Sequence, residues 1–493
     1  MLIAVVVTLW WVGFWTAVGL CLGSFLNVVI YRLPRSRSLR APLWSACPYC
    51  EHQIRWYDNL PIISFIALRG RCRDCKGAIP THYLVVEVGT ALIVLLLLDA
   101  FFIGHSRAGL SSGAFGLTDQ LALDWPVFTA HIVLLACLFS MSAIDLKHYW
   151  VDVRFTNVAA IAGFVLHALW TPSHSASWIR PFDTTAVVSF CALVGLALVW
   201  IVLTCQPRVD PEDFGESYFA AEEVDASDPS TDDPPWPPLE PPSRVPGWIG
   251  LGLLVILFVW LVAAGVGEAP LGHLVRALVP LVFFFCLIVR ESSIPRESDR
   301  EIIEAIEGER SQARRMVLGE LVLLLPAAVL ACVGFYLVNN GADLAGRVHE
   351  ALQASARIPG LAMMRSWAPL YGLATAATGY VFAGALGWLI RIVFTLLFGK
   401  EAFGSGDVHL MAAAGAVTGW PVVALAFMLT CALASLGWLM LLPFKRARAI
   451  PLGPWLSLSI LTVVLFYDTM LQWPFLSHAI DAAHMLFLHD SQA

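Results

Sequence analysis

Two aspartates beside apolar runs are the residues of this chain best suited to chemistry. Asp145 follows Met141-Ser-Ala-Ile, and Asp407 ends a Gly404-Ser-Gly406-Asp turn. An acidic side chain in or beside a membrane helix is expensive to hold, which makes each a functional candidate by default. Brought together, they suit peptide hydrolysis: one carboxylate takes a proton from water while the other, protonated, polarises the scissile carbonyl. Two carboxylates held close cannot both ionise, so their proton losses belong to the pair. Gly404 and Gly406 suit close backbone approach, as by an extended substrate strand. A Gly-x-Gly-Asp turn alone is weak evidence, and a solvated interfacial position is the alternative for both acids. Asp152, one or two helical turns beyond Asp145, reads better as a helix cap or solvated turn than as a third participant.

A second cluster is made of sulfur. Cys47 and Cys50 form one CxxC pair and Cys72 and Cys75 another. Each pair can bite one metal ion, and the spacer lets a ribbon close a tetrahedral site of four sulfurs. Four thiolates leave no open coordination position, so the zinc expected here is structural. A redox-active CxxC is the alternative, but it does not explain two pairs together and lacks a βαβ context. The other cysteines are scattered over apolar stretches and read as small buried residues.

The elements that must position these groups are membrane helices. The chain is 58% hydrophobic and only 14% charged, an excess that has to face lipid. Its 19 Trp and 28 Phe fit the same class, since aromatics collect at membrane interfaces. No strongly basic domain is present, which argues against nucleic acid as a partner. The expected fold is an all-α polytopic transmembrane bundle with a small cytoplasmic zinc-ribbon-like loop. Apolar helices are expected over residues 3–27, 83–104, 126–144, 155–171, 184–204, 247–266, 271–289, 317–338, 369–398, 408–420, 421–443 and 452–474, of which 408–420 is short and suits a tight hairpin with its successor across Gly419, Trp420 and Pro421. The first is read as a membrane helix rather than a cleaved leader, because no basic n-region precedes it. Basic residues in the 31–82 loop, and Lys445, Arg446 and Arg448 near the other end, place both segments in the cytoplasm. The same count puts Asp145 and Asp407 at one membrane face.

Four regions follow. Residues 1–104 form an N-terminal membrane region carrying the four-cysteine loop (31–82), and 126–204 hold Asp145. Residues 205–368 are an insertion, and 369–475 hold Asp407. Within the insertion, 207–246 is acidic and Pro-rich, the composition of a disordered linker. Residues 297–315 carry mixed charge at helical spacing, as a solvated helix does. Both read as tolerated additions rather than docking sites.

Longer runs resemble a known family. Gly23-Ser-Phe-Leu-Asn-Val-Val-Ile-Tyr-Arg-Leu-Pro34 is similar to the N-terminal signature of the type IV prepilin peptidases, bacterial leader peptidase–methyltransferases. The paired CxxC motifs resemble that family's zinc loop, with Asp58-Asn-Leu-Pro-Ile-Ile-Ser64 and Leu68-Arg-Gly-Arg-Cys72 between them. Asp145 with Asp152, Glu401 through Leu410 and Pro451-Leu-Gly-Pro454 resemble its peptidase half. The resemblance covers roughly residues 15–100, 130–205 and 375–475. Two positions depart from it: Val151 stands where Pro is common, and His409 where Lys is.

The resemblance implies cleavage of prepilins and pseudopilins at the cytoplasmic face of the bacterial inner membrane, with Asp145 and Asp407 as the catalytic aspartates. It also implies N-methylation of the new N-terminus from S-adenosylmethionine, with no residue assignable to that cofactor, and proximity to a pilus or secretion assembly machinery. Two readings from elsewhere compete. A general GxGD intramembrane protease would not explain the four cysteines. A zinc-stabilised membrane scaffold would leave the aspartates without chemistry.

Overall fold

The computed structural model describes residues 2–35, 38–39, 45–47, 49–50, 52–104, 117–149, 151–170, 183–205, 247–264, 270–294, 312–340, 368–401, 403–442 and 451–471. Among them the chain is helical, with α1 (Leu2–Arg32), α2 (Ile63–Ala67), α3 (His82–Leu98), α4 (Leu117–His148), α5 (Val153–Leu169), α6 (Asp183–Cys205), α7 (Gly247–Ala264), α8 (Pro270–Ser292), α9 (Ala313–Asn340), α10 (Ala368–Phe398), α11 (Ser405–Thr418), α12 (Trp420–Leu441) and α13 (Leu452–Leu471). Lipid offers the backbone no hydrogen bonds, so apolar runs satisfy themselves as helices. Each expected membrane run coincides with one of them.

Eight of these helices are long and apolar enough to cross a membrane. The short 408–420 run forms the expected hairpin with its successor, and the run at 155–171 is also shorter than a full span. Helix α5 has 17 residues and α11 has 14, and at 1.5 Å per residue the latter covers only about 21 Å of a core about 30 Å thick. Helix α8 carries Arg276, Arg290 and Glu291, whereas α7 is apolar throughout its 18 residues. The acidic linker 207–246 and residues 297–311 lie outside the described residues.

The short helix α11 sits at the centre, packed on α10, α5, α4, α12 and α13 and buried from Val408 to Thr418 apart from His409. Its Ala412-Ala-Ala-Gly415-Ala416 run has almost no side-chain volume, which lets neighbouring backbones approach. At the closest crossing a Cβ on Gly379 of α10 would lie 1.9 Å from the Gly415 carbonyl oxygen, and one on Gly415 would lie 2.2 Å from that of Gly379. No side chain fits on either partner. Gly419 then adopts a left-handed φ of 87° and reverses the chain into α12.

The N-terminal pair is built the same way. A Cβ on Gly19 of α1 would meet the Ala91 Cα of α3 at 2.7 Å, and one on Gly23 the Glu87 Cα at 2.6 Å. Asn27 Nδ2 donates to the Tyr83 carbonyl at 3.0 Å. The Gly-Ser-Phe-Leu-Asn run thus serves as the seam between α1 and α3.

The insertion is joined to the rest at depth. Helix α9 lies along α6, and in α8 the buried Arg276 guanidinium donates to Oδ1 of Asp99, just past α3, at 3.0 and 3.2 Å. A buried pair is costly to break from one side because the remaining charge is stranded. Arg276→Leu is expected to lower stability in detergent by about 3–5 kcal/mol, and Asp99→Leu in the same background to restore most of it. Denaturant unfolding of both variants tests this; equal losses in single and double variants would refute it.

Candidate active site and metal centre

Asp145 occupies the last turn of α4, and Asp407 the first turn of α11. Both are buried, at 5% and 9% exposure, deep for acids at helix ends. They converge above the start of α13. A Cβ on Gly453 would lie 2.6 Å from Asp145 Oδ2 and 3.8 Å from Asp407 Oδ1. The two carboxylates therefore border one point, no farther apart than the sum of those distances. Asp407 Oδ1 is buried with no hydrogen-bond partner among the described residues. An unsatisfied carboxylate oxygen near a second buried carboxylate is a costly arrangement that structure alone does not need.

The glycines before Asp407 have different surroundings. A Cβ on Gly406 would strike Val151 Cβ at 2.7 Å, while one on Gly404 would lie 3.3 Å from Asp407 Oδ2. The space at Gly406, expected to admit a substrate strand, is filled instead by the side chain of Val151. Val151 lies in the turn after Asp145, so this contact presses the two aspartate-bearing turns together. Asp152 caps α5: its Oδ1 accepts from the Arg154 amide at 2.8 Å, and its carboxylate pairs with the Arg154 guanidinium at 2.7 Å. That cap keeps it in the role of a helix start.

Gly453 was not singled out by residue type. It lies inside Pro451-Leu-Gly-Pro454, and the available signal was a glycine flanked by prolines at the mouth of an apolar run. Its significance is spatial: α13 approaches from elsewhere in the chain, and only glycine leaves room for Asp145 there.

The four cysteines meet. The Sγ atoms of Cys47, Cys50, Cys72 and Cys75 all lie within 4.8 Å of one another, with Cys47 and Cys75 at 3.8 Å. A tetrahedral zinc with Zn–S bonds of about 2.3 Å sets its sulfurs about 3.8 Å apart. Each CxxC sits on a small reverse turn closed by an antiparallel bridge, Ala46 with Gln53 and Arg71 with Ala78. In these turns the Cys47 amide donates to the His52 carbonyl at 2.9 Å, and the Cys72 amide to that of Gly77 at 2.8 Å. Burial pushes the Cys47 thiol up to about 12. Burial acts on Cys72 in the same sense, but the Cys75 and Asp74 amides outweigh it and bring that thiol down to about 7. Between the turns Arg73 grips the Asp58 carboxylate at 2.6–3.1 Å and holds it below the usual carboxylate range. The loop is tied to the bundle where Glu87 of α3 accepts the Ile62 amide at 2.9 Å.

Residues 17–101 match the Bacterial Peptidase A24 N-terminal domain, and residues 349–439 match the Type IV leader peptidase family. The first match contains the four cysteines and the second contains Asp407; Asp145 lies between them. The chain belongs to the type IV leader peptidase family. Among its relatives is the prepilin leader peptidase/N-methyltransferase of Myxococcus xanthus strain DK1622, 38% identical over 30% of this chain and 38% of the relative. The type 4 prepilin-like proteins leader peptide-processing enzyme of Escherichia coli O78:H11 is 32% identical over 38% of this chain and 66% of its own length. The prepilin leader peptidase/N-methyltransferase of Stutzerimonas stutzeri is 30% identical over 40% of this chain and 67% of the relative. The matched part of the chain thus spans between 38% and 67% of these three relatives. No solved structure matches the chain.

The sulfur geometry sets an expectation for metal content. Purified protein should carry about one zinc per chain, and Cys47→Ser or Cys72→Ser should remove most of it. Elemental analysis by plasma mass spectrometry checks this; a metal-free protein with pairwise disulfides would refute the zinc reading.

Proposed function

We propose that this chain is a membrane aspartyl endopeptidase that removes the leader peptides of type IV prepilins and pseudopilins, with Asp145 and Asp407 as its catalytic pair. The observation that carries the reading is the convergence of both carboxylates on Gly453. Its peptidase half comprises residues 126–204 and 369–475, folded around the insertion at 205–368. The substrate class is supported by the activities for which the Myxococcus, Escherichia and Stutzerimonas relatives are named.

In the proposed reaction the two aspartates share one proton. The ionised carboxylate draws a proton from a water held between them, and the resulting nucleophile attacks the scissile carbonyl. The protonated carboxyl donates to the carbonyl oxygen as charge develops there. Proton return to the leaving nitrogen completes the cleavage and resets the pair. Burial of both acids excludes bulk water, which strengthens these electrostatic interactions.

Zinc on Cys47, Cys50, Cys72 and Cys75 is assigned a structural role, since four sulfurs fill a tetrahedral shell. Methylation of the exposed N-terminus from S-adenosylmethionine is supported by the Peptidase A24 N-terminal match and by the relatives' names. Among the described residues no glycine-rich strand-to-helix cradle for that cofactor is present, so no residue is assigned to methyl transfer. The basic loops support an inner-membrane protein with its active site facing the cytoplasm.

The decisive test is cleavage of pilin-like substrates by purified protein, read by mass spectrometry. Asp145→Asn and Asp407→Asn should each lower cleavage by about 10³-fold or more while leaving the fold intact. Equal cleavage of unrelated membrane helices would favour a general intramembrane protease, and no cleavage across several pilin-like substrates would favour a scaffold. Gly453→Ala adds a methyl group 2.6 Å from Asp145 Oδ2 and is expected to lower kcat about 100-fold through misplacement of the pair. Wild-type kcat in a folded Gly453→Ala variant would remove this crossing from the mechanism.

A further inference from the structure

Arg391 lies in α10, eight residues before the turn at Gly399, and is 3% exposed. A guanidinium at that depth needs carboxylates, and this one has two from different parts of the chain. Glu320 of α9 accepts from Arg391 Nε at 2.9 Å and Nη2 at 2.8 Å, a bidentate grip. Arg391 Nη1 donates to the Glu401 carboxylate and to the Phe403 backbone carbonyl. Glu401 and Phe403 form the turn that delivers Gly404, Gly406 and Asp407. A second basic residue, Arg314 of α9, lies against the same turn. Gly399 adopts a left-handed φ of 65°, and the Arg314 guanidinium lies 3.3 Å from where its Cβ would be.

Helix α9 belongs to the insertion that separates Asp145 from Asp407 in the chain. A tolerated addition has no reason to supply a carboxylate to a buried arginine that holds the aspartate turn. Arg391 meets the loop with one nitrogen and Glu320 with the other edge of its planar fork. Glu320 therefore fixes the rotation of the guanidinium and, through it, the height of the Phe403 carbonyl. Without Glu320 the fork can turn about its long side chain, and the loop loses its fixed point.

We propose that Glu320 and Arg391 are positioning residues for Asp407, and that the inserted helix α9 completes the active-site loop by clamping it through Arg391. The clamp itself rests on the side-chain geometry alone; its effect on hydrolysis rests on the peptidase reading. Neither residue approaches the reacting atoms, so their influence falls on where Asp407 stands.

The test uses the full chain in detergent, with hydrogen exchange followed by mass spectrometry alongside cleavage kinetics. Glu320→Ala is expected to raise amide exchange in the loop at residues 399–404 about tenfold or more, with α11 beyond its first turn and α4 unchanged. The same variant should lower kcat about tenfold with KM within about twofold, the signature of a displaced catalytic group rather than lost substrate binding. Arg391→Lys, which keeps the charge but lacks the planar fork that reaches four oxygens, should behave like Glu320→Ala. Leu318→Ala, at an exposed site on the same helix, should change neither readout. Unchanged loop exchange in a folded Glu320→Ala protein overturns the clamp, as does an equal response to Leu318→Ala. A loosened loop with wild-type kcat overturns the positioning role. If the wild-type chain cleaves nothing, the peptidase reading fails while the exchange result still decides the clamp.

Discussion

The backbone crossing at Gly379 and Gly415 is the constraint on which the bundle turns. Helices in lipid gain little from hiding apolar surface, since the solvent around them is apolar too; close packing and internal hydrogen bonds must hold them together. Here a short, alanine-rich helix is drawn into the middle of longer ones because two glycines let peptide groups touch. With α11 fixed against α10 and α5, its first turn projects Asp407 toward the end of α4. The rest of the site is then settled by neighbours. Val151 presses on Gly406 from one side, and Gly453 leaves space for Asp145 on the other.

Fold class was legible in the sequence because hydrophobicity and helix formation are coupled so tightly in lipid. The runs that became α1, α3, α4, α10 and α12 needed no tertiary information. Spanning length was less legible. Helix α11 is shorter and less apolar than α10, α12 and α13, and its enclosure by other helices explains how a segment too short to cross can sit inside the bundle. The four cysteines were also readable, since CxxC spacing is itself a geometry. Asp145 and Asp407 could be singled out as acids beside membrane helices, but their convergence could not, because it depends on helix crossings far from either residue. Gly406 shows the limit well: the glycine was conspicuous, yet its neighbour is Val151. Glu320, an acid inside an expected span, carried the same general signal as the two aspartates, but its partner Arg391 and hence its meaning could not be read from the sequence.

The insertion changes character when viewed through its side-chain contacts. Helix α8 is anchored through Arg276 to Asp99 at the end of α3, while α9 lies along α6 and reaches Arg391. One attachment is to the N-terminal region and the other to the peptidase half. Mixed-charge and acidic composition dominates the linear view of residues 205–368, but the described helices are tied into the bundle by buried ion pairs, the contacts least tolerant of partial removal.

The unequal hairpin of α11 and α12 carries a consequence for the surrounding lipid. From the Gly419 reversal, α12 continues for 22 residues while α11 returns for only 14, about 33 Å against about 21 Å along their axes. The shorter arm falls about 12 Å short of the longer one, so a bilayer spanned by α12 would hold the proposed catalytic Asp407 below the level of its headgroups. Water has to be admitted downward to reach it, and the depth of that descent is set by the bilayer as much as by the protein. The proposed hydrolysis at such a recess would be sensitive to acyl-chain length: a thicker membrane would deepen the well, and a thinner one would bring the same carboxylate toward the surface.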